Sequence, residues 1–247
     1  MIRVALLLAL VAAPVQAAPI VSGEAMVVSD YRFRGISRSD AKPAATARLG
    51  VDLGIVYAEA FAASLSGWGR FGGAEAEVDI SAGVRQSLGL ASLDLGVTLY
   101  NFIDADAPAS VAEAQAKISG GIGPLRLTAG TAWAPPQRGL ASATSRRGSN
   151  LYTWGAAHAD IIGTPLALDA RIGHSRGRPG LGGAGALLGS ARAWDWRLGA
   201  TYATGPFSIG AAVTGTDLSE RADALLRTPR GSRIAGTGVL VSVGAGF

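Results

Sequence analysis

The sequence predicts an all-β fold: a transmembrane up-and-down antiparallel β-barrel of about twelve strands. Three observations carry this expectation. About a dozen short segments alternate apolar and polar residues, the connections between them are by turns short and long, and the last residue, Phe247, falls in phase with an apolar face. Alternation gives a strand one greasy face and one wetter face. Connections that alternate in length put all the tight turns on one side of successive hairpins.

Composition points the same way. The chain is 49% hydrophobic and only 16% charged, with a mean hydropathy of +0.30. A soluble exported domain of this size carries more charge. Yet no stretch approaches the roughly 18 consecutive apolar residues that a helical span requires. A barrel resolves the conflict, because its outer wall needs apolar residues only at every second position. The chain has no Cys, which excludes disulfide staples and Cys-based catalysis or metal binding. A pI of 9.8 raises the possibility of nucleic acid as a partner. The basic residues sit mostly in connections and form no recognisable binding motif, so no nucleic acid is expected.

Residues 1–17 read as a secretory leader: Arg3, an apolar run over 4–13, then small residues at Val15 and Ala17, with cleavage after Ala17. The competing reading is a buried N-terminal helix; the apolar run is too short to cross a bilayer. A single barrel domain then occupies 18–247. Its strands are expected near 20–33, 43–53, 55–66, 75–87, 91–101, 112–121, 124–134, 149–161, 165–175, 193–203, 206–217 and 234–247. Segment 75–87 is the clearest. Glu75, Glu77, Asp79, Ser81, Gly83 and Arg85 fall on one face, and Ala76, Val78, Ile80, Ala82 and Val84 on the other. A helix would scatter these charges around its circumference. Segments 55–66 and 149–161 alternate more weakly.

Five connections are tight, around 53–54, 89, 121–123, 163–164 and 204–205, and three of them lead into Pro124, Pro165 and Pro206. Glycine supplies the turn conformation, and proline suits the first position of a strand. The longer connections are 34–42, 67–74, 102–111, 135–148, 176–192 and 218–233. Long loops on one side and short turns on the other match barrels of the Gram-negative outer membrane, whose lipids surround them. An even strand count returns both ends of the barrel to the short-turn side.

Tyr31, Phe33, Tyr100, Phe102, Trp133, Tyr152, Trp154, Trp194 and Trp196 lie near the long-loop ends of their strands, and Phe207 and Phe247 near the short-turn ends. They are expected to form the two interfacial girdles of a membrane barrel. In the last strand Val239, Val241, Val243, Ala245 and Phe247 share one face. A terminal Phe in phase with the lipid-facing set resembles the signal read by the barrel-assembly machinery.

The inward faces collect both signs of charge. Acids include Glu24, Asp30, Asp52, Glu77, Asp79, Asp94, Glu113, Asp160, Asp169 and Asp195; bases include Arg32, Arg34, Arg48, Arg85, Lys117, Arg126, Arg171 and Arg197. Cross-strand pairing accounts for most as scaffold. A narrow, wet, partly occluded lumen that admits small solutes or ions follows. The candidates for selectivity are Asp30, Arg32, Arg34, Arg48, Glu77, Asp79 and Arg85. Ten loop-side arginines (Arg138, Arg146, Arg147, Arg176, Arg178, Arg192, Arg221, Arg227, Arg230 and Arg233) crowd the long-connection side. They suit lipopolysaccharide phosphates, an anion-attracting mouth, or plain solvation.

Two other classes are weaker. An outer-membrane lipid hydrolase would have to use His158 or His174, and no Ser-containing nucleophile motif accompanies either. Metal-ligand spacing is lacking and no cofactor is expected. A non-conducting structural or adhesion barrel is the remaining alternative.

Residues 29–44 carry a family resemblance. Ser29, Asp30, Tyr31, Phe33, Arg34, Gly35, Ser37 and Pro43 stand in a pattern similar to the opening motif of the TorF-type porin family. Glu77-Val78-Asp79 with Gly83, and Tyr100 followed by Glu113, resemble its later strands. The resemblance implies an outer-membrane channel. This chain is rich in Ala, Gly and Arg where members are rich in Tyr and acids, so no solute preference carries over. Read without the family, Asp30, Arg32 and Arg34 share a face directed by phase into the lumen, while Tyr31 and Phe33 point outward. Gly35 allows the chain to leave the strand, and Pro43 fits the start of the returning one.

Overall fold

The computed structural model describes residues 18–106, 109–142, 144–182, 187–189, 191–228 and 231–247. The expected leader, 1–17, lies outside the described residues. Twelve strands close into one antiparallel barrel. They are β1 (Ile20–Val28), β4 (Ala44–Asp52), β5 (Val56–Ser64), β6 (Ala76–Leu88), β7 (Ala91–Ile103) and β8 (Val111–Ile122). The second half is β9 (Leu125–Gln137), β10 (Gly148–Asp160), β11 (Leu166–Gly177), β12 (Ala191–Thr204), β13 (Phe207–Thr216) and β14 (Gly238–Gly246). Two short strands, β2 (Arg32–Phe33) and β3 (Ile36–Ser37), form a hairpin apart from the wall. A single helical turn or so, α1 (Glu220–Leu225), lies in the last long connection.

Each strand pairs with its sequence neighbour, and β1 pairs with β14 to close the ring, with Val27 opposite Val243 and Ala25 opposite Ala245. At the seam the Phe247 and Gly23 backbones exchange two hydrogen bonds, at 2.9 and 3.0 Å. Closure leaves no sheet edge in the apolar layer, where an unpaired amide has no water to turn to. The period-two pattern predicts the faces correctly. Ile80 and Leu95 are 49% and 47% exposed on the outer wall, whereas Glu77 and Asp79 are buried inside. All five expected tight turns form, and Gly54, Gly89, Gly123, Gly163 and Gly205 have positive φ there.

The structure corrects two expectations. The first strand was expected to run to residue 33, but β1 ends at Val28. Ser29 makes the last wall contacts, its backbone N–H donating to Val241 O at 2.8 Å and its Oγ accepting from Val241 N at 2.9 Å. Beyond it the chain turns into the barrel mouth, so Tyr31 and Phe33 point inward with Arg34, not outward. The Asp30 carboxylate organises this departure. It accepts Arg32 Nε at 2.6 Å and Ser39 Oγ at 3.0 Å, and it also pairs with Ser37 Oγ. A carboxylate and three arginines confined to one segment are better satisfied by the polar interior than by an interfacial wall.

The aromatic girdle is the second correction. Trp133 and Trp194 stand on the outer wall as expected, as do Phe207 and Phe247 at the other end. Tyr100, Phe102 and Tyr152 are buried inside instead, and Trp154 lines the interior cavity. Part of this set packs the long-loop end of the barrel. One apolar cluster there combines Leu65, Tyr100, Phe102, Val111, Leu140 and Leu181, with Tyr31 and Phe33 against it. A second joins Ile36 at the hairpin tip to Leu226, Ile234 and Ala235. The mouth therefore holds a small core of its own, seeded by the inserted hairpin.

Candidate functional site

The inserted hairpin is held to the wall by two ion pairs. Arg34 donates to Glu113 Oε2 of β8 at 2.7 Å, and its guanidinium lies 4.0 Å from the Tyr152 ring centroid. Arg38 pairs with Glu77 of β6. It also donates to Gly180 O and Leu181 O at 3.0 Å each and stacks 4.0 Å from the Phe33 ring. Both pairs are buried, where separated charges would be costly. Burial opposes the Arg38 charge, but Glu77 together with Tyr31 and Asp79 outweighs it and raises the guanidinium pKa. Burial and then Glu77 push the Tyr31 phenol upward; its hydroxyl donates to Glu77 Oε2 at 3.2 Å.

Gly35 at the hairpin turn has φ +77, and a Cβ there would sit 2.5 Å from Thr216 Cγ2 and 2.8 Å from Gly215 O. Only glycine meets both the backbone conformation and the close approach to the wall. Arg32 anchors the other side, donating to Gly236 O at 2.6 Å.

Beneath the hairpin lies a cavity of about 590 Å³. Arg85 and Lys117 on its wall lie in the short-turn halves of β6 and β8, so the cavity runs from the hairpin toward the short-turn end. Its lining carries seven bases, Arg32, Arg34, Arg48, Arg85, Lys117, Arg171 and Arg197, against four acids, Glu59, Asp79, Glu113 and Asp195. On the β4–β8 side the charges are cross-paired. Arg85 reaches Asp52 at 3.1 Å and Asp94 at 3.3 Å, Lys117 reaches Asp94 at 3.3 Å, and Arg48 pairs with Glu59. Tyr57 OH donates to Asp94 at 2.8 Å. Its ring lies across the directly paired Gly83 and Gly96, where added Cβ atoms would meet the phenol at 2.6 and 2.8 Å.

The opposite side differs. Arg171 and Arg197 are direct cross-strand partners, an arrangement that like charges disfavour. Arg197 holds Asp169 at 3.1 Å. Arg171 rests on the aromatic faces of Trp154 and Tyr152, 4.4 and 5.5 Å from their centroids, and makes no salt bridge among the described residues. A second space of about 250 Å³, sharing these two arginines and adding Arg126 and His158, continues toward the short-turn end.

Of the sequence-predicted candidates, Arg32, Arg34, Arg48, Asp79 and Arg85 line the cavity together. Asp30 and Glu77 are buried under the hairpin and hold it. Sequence reasoning missed Tyr57, Tyr152 and Trp154 as cavity residues. The signal was present for two of them: Tyr152 and Trp154 share the parity of His158 and Asp160, already placed inward. Among the loop arginines Arg178 turns inward, donating to Leu140 O at 3.2 Å and Ser142 Oγ at 2.9 Å. Arg230 lies outside the described residues.

The family described as "Bacterial protein of unknown function (Gcw_chp)" matches residues 12–247. The chain belongs to this family. No curated protein matches it in sequence. Among solved structures it is similar to the NanC porin, with 10% identity, a TM-score of 0.61, and 92% of this chain and 99% of the other covered. The KdgM porin is similar at 8% identity and a TM-score of 0.53, covering 92% and 98%. An outer-membrane channel from Pseudomonas putida F1 is similar at 11% identity and a TM-score of 0.50, covering 94% and 97%. At such identities the likeness is one of fold, and it agrees with the closed antiparallel wall described above.

Proposed function

We propose that this member of the Gcw_chp family is an outer-membrane porin-like channel of the TorF type, passing small solutes or ions passively and favouring anions. The observation that carries the proposal is the charged cavity of about 590 Å³ inside an apolar-walled ring. Most of its charges are paired, but Arg171 makes no salt bridge among the described residues and stands directly opposite Arg197, so this side offers positive potential to anions, and the low-dielectric wall focuses that field. The inserted hairpin and its apolar clusters set the narrow point at the long-loop end. Export through a leader cleaved after Ala17, assembly through the Phe247 signal and a surrounding layer of outer-membrane lipid belong to the same proposal.

A channel is favoured over an enzyme by the surroundings of the two histidines. His158 meets Asp160 at 3.3 Å, and His174 stacks on Trp194 at 4.8 Å. Neither bonds a serine hydroxyl among the described residues. Planar-bilayer recording with ion substitution tests the proposal. Discrete conductance steps are expected, with a reversal potential set mainly by the anion. Arg171→Glu with Arg197→Glu is expected to reduce or invert that preference. Stable insertion without current would refute the channel and leave a structural barrel.

A further inference from the structure

The outer wall carries a feature that solute passage does not use. At the long-loop ends of β9 to β12 the outward residues form a row: Trp133 opposite Leu151, Leu151 opposite Arg176, and Arg176 opposite Arg192. Trp133 and Leu151 are 52% and 42% exposed. The two arginines are also exposed and border, with Trp133 and Leu151, an outside groove of about 490 Å³. One step down the wall His174 stands opposite Trp194, and below them lie Ile172 and Leu168. The row therefore sits where the aromatic girdle meets the apolar belt.

Directly opposed like charges on neighbouring strands are unfavourable. Here neither arginine has a salt bridge or hydrogen bond among the described residues. Asp217, at the register of Trp194, accepts the Trp194 backbone N–H through Oδ1 at 2.6 Å and makes no salt bridge among the described residues. Two forked, uncompensated donors side by side match the oxygens of a phosphate, which can accept from both. The groove beside them takes its apolar lining from Trp133, Leu151 and Ala191 and opens onto the lipid-facing wall. A free anion has no use for Trp133 and Leu151; an acyl chain does.

We propose that Arg176 and Arg192 form a binding site for the phosphate monoester of a membrane lipid, whose acyl chain lies in the groove against Trp133 and Leu151. Placement beside lipid follows from the barrel itself, so this site stands whether or not the lumen conducts.

Native mass spectrometry of the refolded full chain in zwitterionic detergent tests the assignment. The probes are diphosphoryl lipid A, phosphatidic acid, phosphatidylcholine and inorganic phosphate. Adducts with lipid A or phosphatidic acid are expected to survive, and their relative strength separates a glycolipid from a phospholipid source. Phosphatidylcholine is expected to bind at least about tenfold more weakly, and Arg176→Gln with Arg192→Gln to weaken the monoester lipids about tenfold or more. Arg176→Lys with Arg192→Lys, which keeps charge but loses the fork, is expected to fall between. Arg171→Gln in the lumen is expected to leave the adducts unchanged. Equal retention by the double glutamine variant, equal binding of phosphatidylcholine, or displacement by equimolar inorganic phosphate would each overturn the proposal.

Discussion

Removing the Glu77 carboxylate is the sharpest perturbation of the inserted hairpin. Glu77 is 0% exposed and its partner Arg38 is 4% exposed. Glu77→Ala leaves a buried guanidinium facing a void where its counter-charge stood. Breaking a buried pair from one side costs about 3–5 kcal/mol. At about 4 kcal/mol that is roughly a thousandfold shift toward the undocked hairpin, since about 1.36 kcal/mol corresponds to tenfold. Arg38 keeps its bonds to Gly180 O and Leu181 O, and Arg34 keeps Glu113, so the release is local. Hydrogen exchange reads it directly. The Ser37 N–H donates to Ile234 O and the Arg38 N–H to Tyr31 O, both at 2.7 Å, and both amides are expected to lose up to about a thousandfold in protection. The double variant Arg38→Met with Glu77→Leu removes both charges and restores apolar volume, so it is expected to recover most of the loss. Single-channel current is expected to rise in Glu77→Ala and to return toward wild type in the double variant. Protection within about threefold of wild type in the single variant, or equal damage in the double, would refute the view that this ion pair holds the hairpin in the mouth.

Three further outcomes follow from the same geometry. Val97→Arg, on the outer wall at the middle of β7, is expected to cost about 2–4 kcal/mol in urea unfolding from lipid vesicles, whereas Ser81→Arg on the lumen face is expected to cost much less. Gly35→Ala meets both a positive φ and the wall backbone; it is expected to loosen the hairpin by about 1–3 kcal/mol, read as faster exchange at Ser37 and Arg38 with the wall amides unchanged. Deleting Phe247 removes its backbone exchange with Gly23 at the seam and is expected to lower the yield of heat-modifiable folded barrel in cells.

Much of the wall was legible because a strand in such a barrel obeys one local rule. The rule is period two, and it needs no knowledge of the partner strand. Glu77 and Asp79 against Val78 and Ile80 state the inside and outside of β6 without reference to β5 or β7. Turn glycines before prolines likewise announce themselves locally. The weakly alternating β5 was harder, because its inward Tyr57 and Phe61 are apolar enough to resemble lipid-facing residues.

By itself, then, the amino-acid order determined the ring: strand positions, facing and turns, each set by backbone pleat and by partition between hydrocarbon and water. Only the tertiary structure decided what fills it. Asp30, Tyr31, Arg32 and Phe33 continue the alternation of β1, so nothing local marks the point at Val28 where the chain abandons the wall. That choice depends on Glu77 and Glu113, which lie 39 and 79 residues from the arginines they bind. The paired Arg176 and Arg192 are likewise separated in sequence and meet only through strand register. Long-range charge pairing has no period to betray it, because its energy exists only once the barrel has brought the groups together.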